Sequence, residues 1–122
     1  MTKRILHVED DEDTQLLVKT LLEKQGHIIS NAVNGSECLD ILEKYDIDLV
    51  LLDVMLPDTS GWDILGRIRK NPKNNDLKTV FLSVIPVSDE QLETLKDDGV
   101  ADYITKPFRN RDLVERIRKA LG

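Results

Sequence analysis

The side chains in this chain that could do chemistry stand at the ends of apolar runs. After Arg4-Ile5-Leu6-His7-Val8 come Glu9, Asp10, Asp11, Glu12 and Asp13, five carboxylates in succession. Asp53 follows Leu49-Val50-Leu51-Leu52, Ser83 follows Thr79-Val80-Phe81-Leu82, and Lys106 follows Tyr103-Ile104-Thr105. Carboxylates crowded this closely repel one another unless something compensates them. A hard divalent cation such as Mg²⁺ would do so, since it takes one or two carboxylates together with waters and a phosphate. The amino end of a helix would also do so, because negative charge is favourable there. Both readings stand side by side. Asp11, Glu12 and Asp13 fit a helix end. Glu9 and Asp10, nearest the apolar run, are candidate metal ligands together with Asp53. Taken alone, Ser83 reads as a turn or cap and Lys106 as a solvent-facing cation. Placed beside three acids and a divalent cation, they supply what a phosphoryl group needs, which is charge neutralisation on several oxygens at once. A carboxylate can serve as the nucleophile in such a site.

These residues can meet only if the apolar runs are neighbouring strands. The chain alternates short apolar runs with amphipathic stretches. Strands are expected at Arg4–Val8, Ile28–Asn31, Asp48–Leu52, Thr79–Leu82 and Ala101–Thr105. Helices are expected at Thr14–Gln25, from about Ser36, at Trp62–Lys70, at Ser88–Lys96 and at Asn110–Leu121. In the first helix, Leu16, Leu17, Val18, Leu21 and Leu22 form the apolar stripe, and Gly26 stops it. Ser36 and Ser88 are candidate N-caps. The run at Leu49–Leu52 is apolar almost without a break, as in a central strand covered on both faces. Five strand–helix units of this kind predict an α/β fold with a mostly parallel sheet and helices on both faces. In such sheets, ligands bind beyond the carboxyl ends of the strands, at the switch point in strand order.

The totals agree with a single domain. The chain has 122 residues, of which 40% are hydrophobic and 33% charged, with a formal net charge of -6. That acidity disfavours non-specific contact with nucleic acid, which needs a basic face. The single cysteine, Cys38, has no internal partner for a disulfide, and a core position on a helical stripe is expected for it. No apolar run approaches a membrane span or a signal peptide, so a cytoplasmic location is expected. His7 and His27 have no companions at metal-ligand spacing.

The pieces "ILHVEDDED", "DLVLLDVMLPDTSG", Ser83 after "TVFL" and "GVADYITKPF" occur in this order over essentially the whole chain. In these motifs the chain resembles a response-regulator receiver domain of two-component signal transduction. The resemblance implies a three-layer, doubly wound, flavodoxin-like fold with five helices and a five-stranded parallel sheet in the order 2-1-3-4-5. It implies one receiver domain over residues 1–122, with no output domain in the chain. Asp53 would be the phosphoacceptor. Asp10 would ligate Mg²⁺ directly, with Glu9 as its partner, and Asp53 and the backbone carbonyl of Met55 would complete the set; Mn²⁺ or Ca²⁺ are alternatives. Ser83 matches the hydroxyl position and Lys106 the lysine that pairs with the phosphoryl group. Tyr103 matches the aromatic switch position, and the Lys106–Pro107 bond matches one that is usually cis. The implied partners are a histidine kinase or histidine phosphotransfer protein and a downstream protein or output domain. The state would be a monomer or a phosphorylation-linked dimer, with no membrane or direct nucleic-acid contact. The chemistry would be that of a signalling domain, limited to weak self-phosphorylation and autodephosphorylation.

The chain departs from the family pattern at a few places. Val84 stands where Ala or Gly is usual, and Ile85-Pro86 stiffen the segment after it. Thr59 replaces a commonly apolar residue. Arg109 stands where a capping Ser is common, which leaves Asn110 as the candidate cap. Two other readings compete with a working receiver. One is a pseudo-receiver acting only as an interaction module. The other is a Mg²⁺-dependent phosphohydrolase with an aspartyl nucleophile, whose usual acid–base Asp would fall at Met55.

Overall fold

The computed structural model describes residues 2–122; Met1, counted in the expected domain, lies outside the described residues. Its strands are β1 (Arg4–Val8), β2 (Ile28–Ala32), β3 (Leu49–Leu52), β4 (Lys78–Ser83) and β5 (Val100–Thr105). Its helices are α1 (Glu12–Glu23), α2 (Gly35–Lys44), α3 (Gly61–Lys70), α4 (Asp89–Asp97) and α5 (Asn110–Leu121). The strands are all parallel, in the order β2-β1-β3-β4-β5. The fold is therefore the flavodoxin-like one, with its switch point between β1 and β3.

Period-2 alternation divides the apolar side chains between two cores. Leu6 and Val8 of β1, Val50 and Leu52 of β3 and Phe81 of β4 pack with Cys38 and Leu42 of α2 and Ile64 and Ile68 of α3. Ile5, Leu49, Leu51, Val80 and Leu82 point the other way, against Val18 and Leu22 of α1 and Leu113 and Ile117 of α5. Each fully buried aliphatic side chain contributes roughly 1.5–3 kcal/mol from the removal of apolar surface from water. Helix α4 buries no residue fully and rests on the partly buried Leu92 and Leu95. Burial raises the Cys38 thiol to about 12, as suits a core residue.

The helix ends differ from the sequence expectations in instructive ways. Helix α1 begins at Glu12 rather than Thr14, because the Asp11 carboxylate accepts from the Thr14 N–H at 2.9 Å and caps it. The acids at Glu12 and Asp13 occupy its first turn. Only Val18 and Leu22 of its stripe are buried, whereas Leu16 is 66% exposed. Helix α2 is capped by Asn34, whose side chain accepts from the Glu37 N–H at 2.8 Å, and not by Ser36. Helix α5 starts at Asn110 with no side-chain cap at all, so Asn110 does not take the capping role. Ser88 does cap α4, in a reciprocal box with Gln91. Gly26 closes α1 with φ of +89°, a conformation open to glycine without strain.

Candidate functional site

Strand register brings the sequence's chemical residues to one edge of the sheet. Val8 lies opposite Leu52, so Glu9 and Asp53 leave β1 and β3 side by side. Backbone bonds carry the ladder past the strand ends. The Asp53 N–H donates to the Val8 carbonyl at 3.3 Å, Glu9 N–H to Ala32 at 2.9 Å, and Lys106 N–H to Ser83 at 2.8 Å. Ser83 pairs with Thr105 across β4 and β5.

Ligand oxygens of Glu9, Asp10 and Asp53 lie within 4.8 Å of one another. Glu9 and Asp53 are buried and Asp10 is exposed. The Lys106 ammonium donates to Glu9 Oε1, and to Asp53 Oδ2 at 3.1 Å. Its reach to Glu9 is a feature the sequence reading missed, since Lys106 was assigned to a phosphoryl group. No local signal joins residues 97 apart. Three carboxylates against one ammonium leave a net charge of -2 at the site, and all the donors are hard oxygens. This donor set suits a divalent cation of the Mg²⁺ type. The remaining Glu9 oxygen accepts from the Asp11 N–H at 3.2 Å, and Asp53 Oδ1 accepts from the Met55 N–H at 3.2 Å.

Burial pushes the Glu9 carboxyl above its ordinary range, against the pull of Lys106. Burial would lower the Lys106 ammonium, but the hydrogen bond and charge of Glu9, and then Asp53, outweigh it and raise it. His7, on β1 below the site, is driven down to about 3 by burial, so it is neutral and adds no compensating charge. Its Nδ1 and the Oδ1 of Asn31 opposite it on β2 have no hydrogen-bond partner among the described residues.

On the other side of the site, Ser83 is fully buried, and its hydroxyl accepts from the Ile85 N–H at 3.3 Å. Val84, the next residue, is 59% exposed and lies outside the core. Tyr103 is buried, and its hydroxyl donates to the Ile85 carbonyl. Its ring packs beside those of Phe81 and Trp62, with centroids 5.7 and 6.3 Å away. Trp62 thus packs partially at the start of α3, 4.7 Å from Phe81. The Lys106–Pro107 bond is cis.

The β3–α3 loop that carries Asp53 and Met55 is closed on itself. Gly61 N–H donates to Val54 at 2.7 Å and Leu56 N–H to Thr59 at 3.2 Å, and Met55 and Ser60 form an antiparallel bridge. A Cβ on Gly61 would collide with the Asp53 carbonyl oxygen and come within 3.0 Å of Val54 Cα, so this close backbone approach requires glycine. The tip of the loop is fixed to α2 by a residue the sequence reading passed over. Asp58 Oδ1 accepts from the Gly35 N–H at 2.8 Å and Oδ2 from the Ser36 N–H at 3.0 Å. Those bonds hold its carboxyl below the usual carboxylate range.

A family model described as the response regulator receiver domain matches residues 5–118. An uncharacterized transcriptional regulatory protein of Bacillus subtilis, YkoG, is 38% identical over 117 residues, which cover 96% of this chain and 50% of that protein. An uncharacterized 14.6 kDa protein from the sodA1 3' region of Leptolyngbya boryana is 33% identical over 94% of this chain and 87% of its own length. The chain thus spans about half the length of the Bacillus regulator and most of the Leptolyngbya protein. Among solved structures, the non-phosphorylated HemR receiver domain from Leptospira biflexa superposes with a TM-score of 0.88 at 33% identity, covering 98% of this chain and 94% of that one. Among the described residues, no helix is long and apolar enough to cross a membrane.

Proposed function

Since the chain belongs to the response regulator receiver family, we propose that it is a switch set by phosphorylation of Asp53. The observation that carries this reading is the Glu9, Asp10, Asp53 and Lys106 constellation at the switch point of the sheet. A partner histidine kinase or histidine phosphotransfer protein presents a phosphohistidine. An Asp53 carboxylate oxygen attacks phosphorus, a P–O bond forms and the P–N bond breaks, and the donor imidazole leaves with the electron pair. The product is an acyl phosphate on Asp53. Lys106, already against the Asp53 carboxylate, neutralises charge on the incoming phosphoryl oxygens. Glu9, Asp10, Asp53 and the Met55 carbonyl would hold Mg²⁺, which when bound neutralises charge on the same oxygens. Hydrolysis by water restores the carboxylate and releases phosphate.

The readout begins at Ser83. Its hydroxyl turns from the Ile85 N–H to a phosphoryl oxygen and draws the β4–α4 segment inward. Tyr103 holds that segment through the Ile85 carbonyl, so its ring position is coupled to the segment's. Helix α4, anchored by partly buried side chains alone, is the element with least to lose by shifting, and a population shift at α4, β5 and α5 presents a different surface to the downstream partner.

The test is intact-protein mass after incubation with Mg²⁺ and acetyl phosphate, beside Asp53→Asn. The native chain should gain one phosphoryl group and the variant none. Equal gain in both would remove Asp53 from the chemistry, and no gain in either would favour an interaction module. Val84 follows buried Ser83 in the chain and is itself exposed, and a β-branched side chain beside the hydroxyl position would narrow the approach to phosphorus. Val84→Ala should speed both uptake and hydrolysis about threefold, a barrier change of ~0.7 kcal/mol. The mass time course reads both rates, and unchanged rates would show that Val84 has no control over them.

A further inference from the structure

We propose that Asp58 is a positioning residue for this chemistry, setting cation affinity by clamping the β3–α3 loop to the start of α2; this rests on the phosphoacceptor reading above. The loop is rigid within itself, closed by the Val54–Gly61 and Leu56–Thr59 backbone bonds and the Met55–Ser60 bridge. A body closed in this way moves as a unit, so whatever fixes its tip also fixes Asp53 and Met55 at its base. The tip is fixed by Asp58, with one carboxylate oxygen on each of two backbone N–H groups of α2. Thr59 adds contact beside it, since a Cβ on Gly35 would lie 2.6 Å from Thr59 Cγ2. Repulsion among Glu9, Asp10 and Asp53 pushes this loop away from β1. The clamp opposes that push and keeps the Asp53 carboxylate within reach of the other two. Both of its oxygens must accept, which a carboxylate does and an amide cannot. Groups hydrogen-bonded to metal ligands change metal affinity by about 10–100-fold, and Asp58, which acts on the ligands only through the loop, should fall at the lower end of that range.

The obvious competitor is that Asp58 merely caps α2. Asn34 separates the two ideas, because it caps the same helix through the Glu37 N–H and, among the described residues, makes no hydrogen bond to the loop. The experiment is an NMR amide-shift titration with MgCl₂ on the native chain, Asp58→Ala, Asp58→Asn and Asn34→Ala, with the melting temperature of each. Asn34→Ala should melt lower and bind Mg²⁺ within twofold of native. Asp58→Ala should melt lower by a similar margin and bind Mg²⁺ on the order of tenfold more weakly. Asp58→Asn, which loses the same charge but retains one acceptor, should recover part of that affinity. Native-like Mg²⁺ affinity in Asp58→Ala would overturn the proposal. So would Asp58→Asn binding as weakly as Asp58→Ala, which would assign the loss to charge rather than geometry. Failure of the phosphoacceptor reading looks different: the native chain itself would bind no Mg²⁺ and gain no phosphoryl mass.

Discussion

Replacing Lys106 with methionine should destabilise the metal-free protein by about 3 kcal/mol at pH 7, as expected when one partner of a buried ion pair is removed. The side chains of Lys106 and Glu9 are 15% and 2% exposed, so water screens the pair poorly. Methionine retains most of the aliphatic stem but leaves the Glu9 carboxylate without its cation, and Asp53 as well. The pH dependence follows from Glu9. Burial already raises its carboxyl, and Lys106 is the largest influence lowering it. In the variant it rises further. A carboxyl whose folded value lies above its unfolded one costs stability once ionised. The cost is fully present above the folded value, shrinks as pH falls through it, and vanishes below the unfolded value near 4.5. The deficit of Lys106→Met should therefore be smaller at pH 5 than at pH 7. Lys106 in the native chain titrates the opposite way: its raised value stabilises the fold below about 10.5 and is lost above the folded value. Urea denaturation of both proteins at the two pH values decides the matter. A deficit that does not change with pH would show that Glu9 is not the group left stranded.

Mg²⁺ should raise the melting temperature of the native chain, and Asp10→Asn should remove most of that response. Lys106 compensates one of the three site charges and reaches Glu9 and Asp53, not Asp10. The remaining repulsion is a strain that a divalent cation relieves in the folded state alone. At a hundredfold excess over its dissociation constant, such a ligand stabilises the fold by about 2.7 kcal/mol. For a domain of this size that is a shift on the order of 10 °C. Asp10→Asn removes one of the repelling charges while keeping the side chain's shape. Because Asp10 is exposed, the metal-free gain should be modest, about 1 kcal/mol or less. Thermal melts of both proteins with and without MgCl₂ give the two quantities. A full Mg²⁺ shift in Asp10→Asn would take Asp10 out of the ligand set.

The elements of this fold could be read from the chain because their signals are local. Leu49–Leu52 is apolar on both faces and became the fully buried central strand β3. The alternation of strand and helix patterns required a parallel sheet, and a polar residue at the end of each apolar run marked the edge at which chemistry could sit. Caps were less legible. Asn34 and Ser36 are both competent, but the helix starts at Gly35, which leaves Asn34 at the extended capping position and puts Ser36 inside the first turn, its N–H taken by Asp58 from another loop. Leu16 belongs to the apolar stripe of α1 by periodicity, yet it is 66% exposed because the helix is rotated to seat Val18 and Leu22.

The sequence by itself determined the residue chemistry, the strand and helix periods, and the placement of Glu9, Asp10, Asp53, Ser83 and Lys106 at strand ends. These follow from side-chain type and from hydrophobic repeats that span only a few residues. The tertiary structure alone decided which partners those residues have. It set Lys106 on Glu9 across 97 positions and Asp58 on α2 across 22 and 23. The physical reason is that a hydrogen bond or ion pair between distant segments depends on strand register and helix rotation, which whole-core packing fixes and no local repeat encodes.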